Sequence, residues 1–188
     1  MKTILVIDML NDFTNQEKGT LYIPDSEKLI PVINRLITAN PAVPVIFAND
    51  AHTENDIEFK DYPPHAVAGT WGSLLNPAIT PPPQGRFLHK KTLDCFFNTG
   101  LLEYLQPLST CDLYITGVVT EICVRIAALK SLKAGLKDVK VVLDACQGLN
   151  LKVGDTSRAI LEMLHGGVKL ISADEAYTEL TGERQRPS

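Results

Sequence analysis

The sequence predicts a three-layer α/β/α protein, with helices on both faces of a doubly wound, mostly parallel sheet. Two observations carry that expectation. Short continuous apolar runs rich in β-branched residues recur along the chain, as strands covered on both faces require. Segments of helical periodicity separate most of them, so strand and helix alternate. A chain of 188 residues with 45% hydrophobic and 21% charged residues can bury a core unaided. The expected organisation is a single domain over residues 1–182, with a flexible tail at 183–188.

Residues 4–7 form the first strand, ended by Asp8. Residues 9–19 read as a loop, with Asn11, Asp12 and Asn15 as turn formers around Phe13. Ser26 opens a helix whose Leu29, Ile30, Ile33, Leu36 and Ile37 share one face, and Asn40-Pro41 ends it. Residues 43–48 are a second buried strand, with Asp50 and His52 at its carboxyl end. Residues 53–85 lack periodicity and are rich in proline. A structureless segment of that length is uncommon in a compact domain unless it builds a site or a lid. A third, shorter strand is expected at 87–91, and a brief helix at 100–108.

Residues 113–116 read as a fourth strand, followed by a tight crossing at 117–120 and a helix to about Lys133. Thr120 is the expected N-cap, with Glu121 in the first turn. Ile122, Ile126, Leu129 and Leu132 share one helical face, and Gly135 closes the helix. Residues 139–143 make the next strand, ending at Asp144. A helix at 156–165 stopped by Gly166-Gly167, a strand at 168–171 and a helix at 173–180 complete the pattern.

Composition narrows the function classes. Net charge is −4, and the sequence holds no basic run beyond His89-Lys90-Lys91, which argues against nucleic acid or an anionic membrane as partner. Cys95, Cys111, Cys123 and Cys146 are widely spaced without a C-x-x-C pair. That pattern fits reduced thiols in a cytoplasm rather than a zinc ribbon or a disulfide framework. The N-terminal apolar run is cut short by Asp8 with no small-residue cleavage site after it, and no stretch approaches membrane-spanning length. A cytoplasmic protein is expected. There is no G-x-G-x-x-G after the first strand and no phosphate-binding loop motif.

Ligands of such sheets bind outside the carboxyl ends of the strands. Asp8, Asp50, His52, Lys90 and Cys123 all fall there. Singly, each has an ordinary reading: a turn cap, a loop histidine, a solvated lysine, a structural thiol. Gathered at one rim, they make a coherent set. With Thr120 as cap, Cys123 lies in the first helical turn, where unpaired amides and the helix dipole favour a thiolate. Asp8 can take the thiol proton and return it to a leaving amine, while Lys90 holds the aspartate's charge. The amides of Val119 and Cys123 can receive an oxyanion. This is acyl-transfer equipment. Asp50 and His52, alternate residues of an extended chain, project to one side. With His65 and Glu58 they suit zinc, manganese or iron(II), and a polar loop without an ion is the plain alternative.

The chain resembles the isochorismatase-like cysteine hydrolases, and within them the nicotinamidases. The motifs are 6–13 (VIDMLNDF), 50–52 (DAH), 62–70 (YPPHAVAGT), Lys90 through Phe96-Phe97-Asn98-Thr99, and 117–124 (GVVTEICV). The resemblance implies a triad of Asp8, Lys90 and Cys123, and a cis peptide between Val118 and Val119. It prefers Lys90 to Lys91 because the family's lysine lies six residues before the first phenylalanine. It implies one divalent metal ion, zinc first with manganese or iron as alternatives, on Asp50, His52 and His65. Glu58 would be a fourth ligand, with Asp56 and Asp61 as rivals. The metal's implied role is to hold and orient a pyridine ring, with Phe13 and Trp71 flanking it. Leu93 stands where the family often has an aromatic residue. The implied activity is hydrolysis of nicotinamide to nicotinate and ammonia in NAD salvage. A related amidase acting on an N-carbamoyl or ureido compound is the alternative, and a metal-binding pseudo-hydrolase the non-enzymatic one. The expected partner is a small amide, and the oligomeric state, homo-oligomer included, is left open.

Overall fold

A computed structural model of the chain describes residues 1–105 and 112–183. Cys111, the end of the helix expected at 100–108 and most of the 183–188 tail lie outside the described residues. Among the described residues, six strands form one parallel sheet in the order β3-β2-β1-β4-β5-β6. They are β1 (Lys2–Ile7), β2 (Val45–Asp50), β3 (Arg86–Lys90), β4 (Asp112–Val118), β5 (Asp138–Gln147) and β6 (Lys169–Ile171). The chain lays down β1, builds outward to β3, then returns to the other flank of β1 with β4 and builds outward to β6. The reversal between β1 and β4 is the switch point of the sheet, and their carboxyl ends open onto the crevice where such folds bind ligands.

The apolar runs are continuous because both faces of the sheet are covered. Ile4 and Val6 of β1, Val45 and Phe47 of β2, and Tyr114 and Val118 of β4 enter one core. Leu5, Ile7, Ile46, Ala48, Leu113 and Ile115, the alternate residues, enter the other. The first core is closed by α2 (Leu29–Ile37) and α6 (Ala173–Thr181). The second is closed by α3 (Leu101–Leu105), α4 (Arg125–Lys133) and α5 (Asp155–His165).

Several expectations need correction. The loop at 9–19 contains a helical turn, α1 (Asn11–Thr14), that buries all four of its residues. β5 runs on past Asp144, because its register against β4 shifts between Ile115 and Gly117. The chain leaves the ladder around Leu143 and Asp144, which are exposed, and pairs again at Cys146 and Gln147. In α4 the buried face is Ala127, Ala128 and Ser131, not the stripe of large aliphatics. Small side chains let the helix lie close on the sheet. Leu129 and Leu132 are then left to pack from its flank, where the Leu129 side chain crowds Gly166 at the end of α5. Thr120 is not an N-cap. Val119 holds that position, without a side-chain hydrogen bond, and Thr120–Val124 wind as a π-helical turn that precedes α4.

One glycine brings the two halves of the sheet together. Gly117 has φ +106°, and a Cβ there would stand 2.0 Å from the carbonyl oxygen of Ile7. The ends of β1 and β4 can touch only because residue 117 has no side chain. The residues that follow each strand, Asp8 and the Thr120–Val124 turn, are thereby delivered to one place.

Candidate active site

The ends of β1, β2 and β4 contribute Asp8, Asp50 and Val118 to the lining of one cavity, and Lys90 ends β3 in contact with both carboxylates. Asp8 follows β1 in the left-handed region (φ 53°), unusual for a residue with a side chain and a recurrent feature of functional sites. That conformation lets its Oδ1 accept the Asp50 amide at 2.8 Å. Asp50 and Lys90 end β2 and β3 and are register partners. The Lys90 ammonium, fully buried, lies 2.7 Å from Asp8 Oδ2, 2.5 Å from Asp50 Oδ1 and 3.7 Å from Cys123 Sγ. The structure thus brings Asp8, Lys90 and Cys123 together, with Lys90 shared between two carboxylates rather than reserved for one.

The electrostatics follow from that sharing. Burial alone would drive Lys90 towards neutrality, but Asp50 and Asp8 outweigh it and hold the ammonium charged, its pKa well above the ordinary lysine value. Burial would also raise Asp50, yet Lys90 and His52 keep its carboxyl below the usual range. Asp8 is left with the weaker share. Burial and the neighbouring Asp50 push it up to about 7, against the pull of Lys90. Burial pushes the Cys123 thiol well up, with Lys90 pulling the other way. The resting state is a protonated thiol beside an aspartate poised to exchange a proton near neutrality.

Cys123 sits in the π-helical turn, a distortion common at functional sites. The amides of Ile122 and Val124 both bond the Val119 carbonyl, at 3.0 and 3.2 Å. The peptide between Val118 and Val119 is cis. Val118, Val119, Ile122 and Cys123 all line the cavity.

The second cluster joins the first through Asp50. Beyond β2 the chain stays extended but changes partner: Ala51 N–H still donates to Lys90, whereas His52 N–H donates to Ala66 and its carbonyl accepts from Ala68. The long 53–85 segment therefore folds back to pair at His52 and delivers His65 beside it. The rings of His52 and His65 meet edge-on with centroids 4.9 Å apart, and Phe59 packs against both. Ligating atoms of Asp50, His52 and His65 all lie within 4.8 Å of one another. His65 turns Nδ1 to the Pro63 carbonyl at 2.8 Å, which leaves Nε2 facing the cluster, 3.9 Å from Glu58.

Do these residues fit a metal ion? His52 answers. Its nitrogens lie 3.6 Å from Asp50 and 3.2 Å from Asp56, yet neither makes a well-formed hydrogen bond, so both are buried polar orphans. Burial would lower the His52 pKa, but Asp50, Asp56 and Glu58 overcome it and push it up to about 9. Buried imidazoles ringed by carboxylates call for a cation, and two imidazoles with carboxylates are a common set for a divalent transition metal.

Phe13 lines the cavity, 5.4 Å from the His65 ring. Trp71 does not. It is exposed at the start of a 3₁₀ turn (Trp71–Ser73), whose Gly72 presses on the Asp12 carboxylate. Leu21, Ile23, Tyr62, Leu93 and Leu149 complete the wall. Of these, the sequence by itself singles out only Leu93. The others come from loops, and the Tyr62-Pro63-Pro64-His65 spacing was the one signal pointing to Tyr62. Among the described residues, no helix is long and apolar enough to cross a membrane.

A thiol, a carboxylate and an ammonium at the switch point of a doubly wound sheet form the kind of site that acyl-transferring hydrolases use. Residues 2–175 match the isochorismatase domain, and the chain belongs to the isochorismatase family. It is 29% identical to the nicotinamidase of Acinetobacter baylyi, over 90% of this chain and 92% of that one. The pyrazinamidase of Pyrococcus horikoshii, solved in complex with zinc, superposes with a TM-score of 0.81 at 31% identity, covering 91% of this chain and 98% of the other. The N-carbamoylsarcosine amidase of Thermoplasma acidophilum shares the fold, with a TM-score of 0.80 at 24% identity over 92% and 96% of the two chains. The protein is an isochorismatase-family amidohydrolase, similar to the nicotinamidases.

Proposed function

We propose that the protein hydrolyses nicotinamide to nicotinate and ammonia, with Cys123 as nucleophile, Asp8 as general base and acid, and Lys90 as the fixed cation between them. The observation that carries this reading is the buried Lys90 ammonium, in contact with Asp8 and 3.7 Å from the Cys123 sulfur at the floor of the cavity. Asp8 takes the thiol proton as Sγ attacks the amide carbon. The Val119 and Cys123 amides hold the resulting oxyanion. Asp8 then returns the proton to the amide nitrogen, the C–N bond breaks and ammonia leaves a thioester. Water, deprotonated by Asp8, attacks that thioester, and expulsion of the sulfur restores the thiol and releases the carboxylate.

Asp50, His52, His65 and Glu58 would hold a divalent ion, zinc first with manganese or iron(II) as alternatives. When bound, that ion offers a Lewis-acidic site for the pyridine nitrogen. Asp56 serves this set from behind, accepting the Glu58 amide at 3.1 Å and standing 3.2 Å from His52 Nδ1. Phe13 and Leu93 wall the ring. The reaction belongs to NAD salvage in the cytoplasm. A second reading, another small amide such as an N-carbamoyl compound, is favoured by Leu93, an aliphatic wall residue in place of an aromatic one.

The test is ammonia release from a panel of small amides. Cys123→Ala and Asp8→Asn should each abolish it, by about 10³-fold or more. Stripping the metal with a chelator should remove turnover while Cys123 still alkylates. Persistent turnover in either variant would sink the assignment of roles. Hydrolysis of N-carbamoyl compounds in preference to nicotinamide would select the second reading.

A further inference from the structure

One stretch of the cavity wall comes from the loop between β5 and α5. Leu149 comes from the β5–α5 loop, residues 148–154, and packs beside Ile122 and Val119. That loop departs from regular structure, with Asn150 at φ 52° and Gly154 at φ 87°. Its interior is held by Asp155, which accepts the Lys152 amide at 2.8 Å, while its link to the nucleophile turn runs through Glu121. Glu121 Oε1 accepts the Asn150 amide at 2.5 Å, and Oε2 accepts the Thr156 hydroxyl at 3.2 Å. The fit is close: a Cβ on Gly148 would stand 2.3 Å from Thr156 Oγ1 and 2.7 Å from Glu121 Oε2.

Glu121 is two residues from Cys123, yet it does not line the cavity beside the thiol. Its carboxylate points the other way, into the loop. From this geometry we infer that Glu121 is a positioning residue for substrate. It fastens the β5–α5 loop to the turn that carries the nucleophile, and so fixes Leu149 as the wall that sets how bulky an amide can enter. A wall fastened to the nucleophile's own turn keeps its distance from the sulfur even if the rest of the loop moves. The inference rests on the reading that the cavity beside Cys123 receives the amide.

The variants are Glu121→Ala, Glu121→Gln, which keeps an acceptor for Asn150, and Thr156→Val, which removes one of the two bonds. In Glu121→Ala, KM for the amide that the wild type turns over should rise about tenfold while kcat stays within about twofold, the sign of lost binding rather than lost chemistry. Glu121→Gln and Thr156→Val should fall between. Hydrogen exchange at residues 149–153 should quicken by about fivefold or more, with the core strands unchanged. The ratio of Cys123 alkylation rates by N-benzylmaleimide and iodoacetamide should rise, a readout that needs no amide turnover. A fall in kcat with KM unchanged would overturn the inference, as would loop exchange and the alkylation ratio both matching the wild type. If the wild type hydrolyses no small amide, the proposed reaction fails, while exchange and the alkylation ratio still decide for or against the fastened wall.

Discussion

Asp12 shows how much one carboxylate can organise from outside the site. It is buried, and its Oδ2 accepts the Ala66 amide at 2.8 Å while Oδ1 accepts the Thr20 amide at 3.2 Å. Ala66 follows His65 and has φ 44°, so this bond holds the backbone in the conformation that aims His65 at His52 and Asp50. Gly72 packs directly on the same carboxylate. Asp12→Ala leaves the buried Ala66 amide unpaired and hands the Thr20 amide of an exposed residue to water, and should cost about 1–3 kcal/mol in urea unfolding. It should also weaken metal binding by about 10–100-fold in competition with a chromophoric chelator, as loss of a group supporting a ligand does. Unchanged metal affinity would mean that His65 is placed by its ring packing alone. In the sequence Asp12 reads only as a turn former, because its partners lie 8 and 54 residues away.

At the scale of elements, legibility follows how local the determining physics is. The strands were readable because burial on both faces leaves a continuous apolar run, and α2 because its five buried residues keep strict helical spacing. Asp8, Asp50, Lys90 and Cys123 could be marked together because each ends or follows a strand. The π-helical turn was not readable: Thr120 has the chemistry of a cap, and only the contact of β4 with β1 at Gly117 decides how the chain leaves the strand. Phe59, Tyr62 and Leu149 reach the site from segments with no periodicity. α4 departs from its sequence pattern for a different reason. Periodicity identifies the large apolar residues, whereas closeness to the sheet selects the small ones. Ala128, fully buried, should not tolerate enlargement, and Ala128→Leu is expected to cost about 1–3 kcal/mol by overpacking. Ile126, only half-buried, should lose less on Ile126→Ala than the ~2–5 kcal/mol typical of a core isoleucine. Thermal or urea unfolding of the pair checks the assignment of faces. The reverse ranking would restore the aliphatic stripe as the packing surface.

Across the whole molecule, the two rims of the sheet divide the labour. The carboxyl rim gathers charges that compete for one another: two carboxylates share Lys90, and orphaned histidine nitrogens face acids. The opposite rim gathers charges that satisfy one another. Lys140 of β5, almost fully buried, lies 2.5 Å from Glu179 of α6 and 3.3 Å from the Tyr114 hydroxyl, and Tyr114 itself donates to Glu179. Lys2 donates to the Glu179 carbonyl, so β1, β4 and β5 are all tied to α6. Burial would raise the Glu179 pKa, but Lys140 and Tyr114 outweigh it and hold the carboxyl below its ordinary 4.5. A depressed carboxylate contributes stability above its unfolded pKa and loses it as pH falls through the folded one. Glu179→Gln should therefore lower stability at pH 7 by about 1 kcal/mol, a modest figure because the Glu179 side chain is 40% exposed. The gap to the wild type should narrow as pH falls below the ordinary 4.5 and the native carboxylate, held lower, takes up its proton. Because this network lies at the end of the sheet away from Cys123, kcat/KM of the folded variant should stay within about twofold of the wild type. Urea unfolding from pH 3 to pH 8, alongside the amide assay, measures both. A variant that keeps its stability but loses turnover would show that the two rims are not independent.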